Sequence, residues 1–277
     1  MAEDQDKSLD SSRRTVREIF DVVANNARAE LSRPSRALAF SGLAGGITMG
    51  LTPLAVASVR ALLPEGPTYD LIAHLFYPIG FIAVIIGRAQ LFTENTLYPV
   101  VLVLSERRHV RNTLRLWGVV FAANVAGAFV FALLAVRTSS LEPRILEQLV
   151  RLGTDMVAVS ASNIFWSGVI GGWLIALVAW VVSASHWTIG QVAMIWLLAF
   201  VVGVGHYAHC IATSGEIIAA SIGGPVPMSS YFYWLLFATA GNIVGGVTIV
   251  SLLNWGQVHA DAESSPEKPQ QKPRKAA

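Results

Sequence analysis

Long apolar stretches separated by short polar connections dominate the chain. Six are long enough to cross roughly 30 Å of hydrocarbon as a helix, which takes about 20 residues. They fall at 37–59, 71–103, 113–136, 163–184, 188–220 and 230–254. The second and fifth are too long for one ordinary span. Each is interrupted two-thirds of the way along, by Gly87-Arg88-Ala89-Gln90 in one and Gly205-His206-Tyr207-Ala208-His209 in the other. Non-helical backbone survives at membrane depth only where protein or a water-filled cavity surrounds it, so the pattern predicts two broken helices that point inward. Ahead of the first span, Ile19, Val22, Val23 and Ala27 share a helical face, which predicts an amphipathic helix within 9–33. Residues 141–152 read as a second, short amphipathic helix. The closing stretch, rich in Pro, Gln and Lys, has too little apolar surface to fold.

Composition strengthens this picture. Of 277 residues, 53% are hydrophobic and only 14% charged, against about 25% charged in a soluble domain. Of the 38 charged residues, 21 lie in 1–36 and 256–277. The expected organisation is a polar arm (1–35), a six-helix membrane domain (36–256) and a tail (257–277). Arg28, Arg33, Arg36, Arg107, Arg108, Arg111 and Arg115, with Lys268, Lys272, Arg274 and Lys275, fall on one side. Arg60, Arg137, Arg144 and Arg151 fall on the other, so the positive-inside rule predicts both termini to be cytoplasmic. The first 36 residues lack the apolar run of a signal peptide. A net charge of +2 with no basic, aromatic-interleaved stripe offers nothing to nucleic acid. One cysteine, Cys210, excludes an internal disulfide and a cysteine-based zinc site.

The chain also repeats itself. Ser41-Gly42-x-x-Gly45-Gly46 recurs as Ser167-Gly168-x-x-Gly171-Gly172, the break at Gly87 recurs at Gly205, and Asn124-x-x-Gly127 recurs as Asn242-x-x-Gly245. The offset is 126 residues for the first pair and 118 for the others. Three spans per repeat (36–136 and 163–255) is an odd number, so the halves must be inserted upside down relative to each other. Inverted repeats with a broken helix in each half are a transporter and channel architecture, with the path near the midplane where the breaks meet.

Ionisable groups inside a membrane are costly and usually functional. Away from the span ends these are Arg88, Glu94, His206, His209 and Glu216. Asp70, His74 and Arg115 sit near ends, where they can snorkel. His209 lies where exposed N–H groups and a helix terminus favour an anion, and a histidine there can hydrogen-bond an anion or share a proton with it. His206 is open between pore and packing. Arg88 and Glu94 flank the first break and are expected to neutralise one another across it. Asn124 and Asn242 are expected to hold the broken loops through their amides.

Leu91-Phe92-Thr93-Glu94-Asn95 after Gly87, His209-Cys210-Ile211-Ala212, and Gly241-Asn242-Ile243-Val244-Gly245-Gly246 resemble the formate/nitrite transporter family over about 36–256. The resemblance implies an aquaporin-like six-helix protomer with broken second and fifth helices, a homopentamer with one pore per protomer, and an inner-membrane location. It implies a pore for small monovalent anions or their conjugate weak acids, with protons as a further cargo, no cofactor and no metal. It also implies that His209 is the central pore histidine, that Leu91, Phe92 and Thr93 line the opposing loop, and that apolar constrictions lie on either side. The chain departs from the family's Gly-x-Glu-Leu-Phe-Thr-Gly-Asn, with Arg88, Gln90 and Glu94 at its Gly, Glu and Gly positions. A neutral-solute channel and a non-transporting scaffold or sensor stay open as alternatives on the same fold. An intramembrane protease does not, because neither Ser41 nor Ser167 sits in a nucleophile motif and no His-Glu-x-x-His occurs.

Overall fold

A computed structural model describes residues 13–66 and 68–264, and among these there are helices and no strands. The first, α1 (Val16–Ser32), opens with a capping box in which Glu18 N–H donates to Thr15 Oγ1 and Thr15 N–H donates to Glu18 Oε2. It buries Ile19, Phe20, Val23, Ala24, Ala27 and Leu31, the face that the spacing predicts except that Val22 is only half-buried and Phe20, Ala24 and Leu31 are added.

The first apolar stretch is α2 (Ser35–Met49) and α3 (Leu51–Leu62), joined at Gly50. The second is broken into α4 (Tyr69–His74), α5 (Ile79–Ile86), a single 3₁₀ turn (Glu94–Thr96) and α6 (Tyr98–Glu106). Then follow α7 (Val110–Arg137), the connecting helix α8 (Pro143–Val157) and α9 (Ala161–Ala184). The fifth stretch is divided into α10 (Thr188–Val204) and α11 (Ser214–Gly223). The last comprises α12 (Met228–Val244), a π-helical segment (Gly245–Leu252) and α13 (Leu253–Ser264). Among the described residues, five continuous segments are long and apolar enough to cross a membrane: Ser35–Leu62, Tyr69–Ile86, Val110–Arg137, Ala161–Ala184 and Met228–Ala260. α10 is apolar but shorter.

α13 runs into the segment expected to be unstructured from residue 257. The rest of that expectation, like the first twelve residues of the arm, lies outside the described residues.

Helix α2 packs on α7, and α9 on α12 and the π segment. Both contacts are close because glycine faces backbone. A Cβ on Gly46 would run into the carbonyl oxygen of Asn124, and one on Gly172 into that of Asn242. Small residues that let helix backbones approach are the usual means of packing helices where lipid removes the hydrophobic drive. The outer surface is itself apolar, with Phe40, Leu62, Trp187, Ile189, Leu236 and Leu253 all exposed.

Candidate functional site

The two breaks end their helices identically. Gly87, Arg88 and Ala89 N–H donate to the carbonyls of Ala83, Ile85 and Val84, and Gly205, His206 and Tyr207 N–H donate to those of Val201, Gly203 and Val202. Arg88 (φ 60°) and His206 (φ 51°) both occupy the left-handed position after the helix, where glycine is the usual residue. Beyond these points the chain leaves helical geometry and its N–H and C=O groups need partners from elsewhere.

Asn124 and Asn242 supply them. Asn124 Oδ1 accepts from Phe92 N–H at 2.9 Å, while its Nδ2 donates to Gly42 O (2.7 Å) and Gln90 O (2.9 Å). Asn242 Oδ1 accepts from Cys210 N–H at 2.9 Å, and its Nδ2 donates to Gly168 O and Ala208 O, both at 2.8 Å. Ser41 Oγ accepts from Gln90 N–H (3.1 Å) and Ser167 Oγ from Ala208 N–H (2.8 Å). The recurring Ser, Gly and Asn of the two sequence repeats are thus the residues that hold two loops in one way. The first loop has an extra internal brace, Asn95 Nδ2 to Gln90 Oε1 at 2.9 Å, and Trp117 Nε1 donates to Asn95 O at 2.8 Å.

The loops meet at Thr93 and His209, both fully buried, with Thr93 Oγ1 and His209 Nε2 2.8 Å apart. Ala212 N–H donates to His209 Nδ1 at 3.0 Å. Those partners assign the ring proton to Nε2, so the imidazole donates to the threonine hydroxyl. The Phe81 ring lies edge-on to the histidine at 5.0 Å.

A cavity opens on each side of this contact. On the Arg88 side, a cavity of about 390 Å³ is lined by Leu91 and Glu94, with Arg14, Glu30, Arg88 and Gln191 among its other walls. On the Arg60 side, Ala208 and His206 line a cavity of about 590 Å³. A small cavity of about 50 Å³, adjoining through shared Arg60, Asp155 and His206, carries Tyr77, Thr213 and Glu216.

Several expectations change here. The Arg88–Glu94 ion pair is not formed. Arg88 is exposed, and among the described residues Glu94 has no ion pair at all, although both line one cavity. The chain leaves helical geometry between them, so the six-residue spacing does not bring the charges into contact. Bracing is done by Gln90 and Asn95 instead. Phe92 lines neither cavity; its ring packs against Phe121 (5.0 Å) and Trp117 (5.8 Å). Phe81, one turn before the end of α5, is the aromatic residue beside His209, and its plain apolar context carried no signal.

Asp70 and His74, expected to snorkel, instead form a cluster with His206. Asp70 pairs with Arg60, His206 Nε2 donates to Asp70 Oδ2 at 2.8 Å, and His74 Nδ1 meets Asp70 O at 2.8 Å. The ligand-type atoms of Asp70, His74 and His206 lie within 4.8 Å of one another, the spacing of a metal site. These atoms are already engaged, however, and a divalent cation would have to displace the Arg60 guanidinium.

Comparison with known proteins identifies the arrangement. A family model described as formate/nitrite transporter matches residues 17–256. The inner membrane protein YfdC of Escherichia coli (strain K12) is 31% identical over 246 residues, which cover 88% of this chain and 79% of that protein. The fold is similar to that of an FNT family ion channel, with a TM-score of 0.78 and 20% identity over 88% of this chain and 99% of the other. A pentameric formate channel with formate bound gives a TM-score of 0.68 and 18% identity, over 81% and 98%. The chain belongs to the formate/nitrite transporter family, whose members are transporters and channels rather than enzymes.

Proposed function

We propose that the chain forms a channel for small monovalent anions of the formate and nitrite type, or for their conjugate weak acids, with His209 at the centre of each protomer's pore. The observation that carries this reading is the Thr93–His209 contact, held between two identically braced breaks with a cavity on each side. Leu91 forms the apolar constriction toward the Arg88 side, and Tyr77 and Phe81 form it toward the Arg60 side. The matching braces at offsets of 118 and 126 residues support six spans arranged as two inverted three-helix repeats, with 36–256 as the channel domain. The arginine distribution favours cytoplasmic termini. The named relative favours an inner-membrane location, and likeness to a pentameric formate channel favours a homopentamer.

The histidine acts as a polariser in this scheme. A bare ion entering low dielectric costs several kcal/mol even after relaxation, so an anion that takes a proton passes an apolar constriction far more easily. Because Ala212 N–H occupies Nδ1, His209 presents one N–H toward the path, beside the hydroxyl of Thr93. A substrate oxygen that displaces the Thr93–His209 bond would meet both groups. His206, on the Arg60 side, is exposed and held by Asp70, a position suited to guiding the anion toward Ala208 and the constriction.

The test is formate and nitrite uptake by purified protein in liposomes. His209→Phe is expected to cut flux severely while the oligomer still assembles. Unchanged flux and pH dependence in an assembled variant would overturn the role given to His209.

A further inference from the structure

Two buried carboxyl groups have no structural employment. Glu94 and Glu216 are each 8% exposed. Among the described residues, neither forms an ion pair and neither accepts a hydrogen bond in its side chain. Neither holds a break, since Asn124, Asn242, Ser41 and Ser167 do that. Both are aimed into cavities. Glu94, next to Thr93 in the chain, lines the cavity on the Arg88 side. Glu216, seven residues after His209, lines the small cavity on the Arg60 side with Tyr77 and Thr213. The two therefore stand on opposite sides of the Thr93–His209 contact.

Two fixed negative charges flanking a constriction would oppose an anion from either direction. A carboxyl buried without an ion pair or a donor gains little from staying charged, and as the acid it presents one O–H donor to the cavity. An anion that enters the same surroundings loses hydration too, which raises its proton affinity toward that of the carboxyl, and matched affinities are the condition under which proton transfer is efficient.

We propose that Glu94 and Glu216 are the proton-exchange groups of the pore, converting a monovalent anion of a weak acid to the neutral acid on one side of the Thr93–His209 constriction and back to the anion on the other. This deepens the channel reading above and rests on it. At Glu94 the carboxyl O–H bond breaks and a new O–H bond forms on the anion, the electron pair staying on Glu94. The neutral acid crosses. At Glu216, whose own proton has first passed to water in the cavity, the acid's O–H breaks and its proton passes to the Glu216 carboxylate, releasing the anion, while water on the other side reprotonates Glu94. One anion and one proton cross together, and the cycle runs in either direction. Charged and titratable groups facing Glu94 are Arg88, Arg14, Glu30, His186 and Tyr98. Those facing Glu216 are Arg60, Asp155, His74, His206, Tyr77 and Tyr207. Arg88 supplies the cation that holds the anion before exchange on its side, and Arg60 does so on the other.

The full chain in liposomes, with formate as the probe and a pH dye inside, tests this. The wild type is expected to move formate and protons together. Glu94→Gln and Glu216→Gln, which keep shape but cannot exchange a proton, are each expected to lower formate flux on the order of tenfold or more and to flatten its pH profile. Glu94→Asp, which keeps the carboxyl, is expected to retain the profile. If Glu94→Gln does not assemble, Glu216→Gln decides on the same two readouts. Wild-type flux, pH profile and proton co-movement in assembled Gln variants would overturn the proposal. So would a rise in formate flux, because the carboxyls would then be repelling charges. A wild-type protein inert toward both formate and nitrite would overturn the channel reading and the proposal with it, whereas loss of flux in His209→Phe with unaltered Gln variants would overturn the proposal alone.

Discussion

The two breaks share a frame and differ in everything placed on it. At matching positions, Asn124 and Asn242 make the same three hydrogen bonds, Ser41 and Ser167 cap the same kind of N–H, and Arg88 and His206 adopt the same left-handed backbone. Other positions 118 residues apart in the two loops do not match. Leu91 corresponds to His209, Thr93 to Ile211, Glu94 to Ala212 and Tyr98 to Glu216. Backbone groups exposed by a break must be satisfied in both loops, and that requirement has one solution here, used twice. Side chains that meet across the two loops complement one another and have no reason to be alike: one loop brings the Thr93 hydroxyl and the other the His209 imidazole.

Removing the shared frame should produce the largest effect, large in both halves and somewhat larger in the second. Asn124→Ala strands Phe92 N–H and the carbonyls of Gly42 and Gln90, and Asn242→Ala strands Cys210 N–H and those of Gly168 and Ala208. A buried polar group left unpaired costs about 1–3 kcal/mol, so each variant is expected to lose most of its folded yield and to melt well below the wild type in detergent. If Asn242→Ala kept the wild-type melting temperature while Asn124→Ala did not, the matching geometry would not reflect matching energetics. The extra Gln90–Asn95 brace predicts the opposite asymmetry, with the first loop the more tolerant.

The left-handed residues give a smaller and opposite effect. An L-residue in that conformation is unfavourable by roughly 1–2 kcal/mol, which glycine avoids. Among the described residues the Arg88 side chain forms no hydrogen bond that the substitution would remove, so Arg88→Gly is expected to raise the melting temperature. His206→Gly is expected to raise it less or not at all, because it surrenders the bond to Asp70, worth about 0.5–1.5 kcal/mol. Equal gains at the two sites would show that the His206–Asp70 bond contributes nothing to stability.

Sequence made the frame legible and left the facing groups partly hidden, for a physical reason. Backbone satisfaction at close helix contacts demands particular residues, Ser, Gly and Asn, at fixed spacing, and such demands leave a trace along the chain. Helix positions follow in the same way: the spans expected at 113–136 and 163–184 appear as Val110–Arg137 and Ala161–Ala184. Contacts between side chains far apart in sequence leave no such trace. Asp70 and His206 are 136 residues apart, and only the folded arrangement brings them together. Arg88 and Glu94 show the converse, neighbours in sequence that the helix end separates. The π-helical segment over Gly245–Leu252 leaves no such trace either; within it Ser251 Oγ donates to Thr96 O on another element.

The smallest effect lies outside the breaks, where the halves differ most simply. Glu106 ends α6 and ties it to α1 through Arg28 at 2.8 Å, and it also accepts from His109 Nε2 at 2.9 Å and Arg108 Nε at 2.7 Å. The position 118 residues on is Gly224, which can make no such tie. Bonds from His109 first, then Arg28 and Arg108, hold the Glu106 carboxyl down at about 2, below its ordinary 4.5. A carboxyl whose affinity for protons is lowered by folding favours the folded form fully above its ordinary value, and that contribution fades as pH falls toward 2. The docking of α1 is therefore expected to loosen between about pH 4.5 and pH 2, seen as faster proteolysis within 16–32 by an acid-active protease. Because Arg28, the partner on α1, is exposed, salt should weaken the tie at neutral pH. Glu106→Gln should abolish both the salt dependence and the acid step, leaving α1 held by its buried apolar face and by the bond from Arg115 to Leu31 O. An acid step that persists in Glu106→Gln would assign it to another carboxyl, with Glu18, also lowered by its bonds to Thr15 at the start of the same helix, the next to substitute.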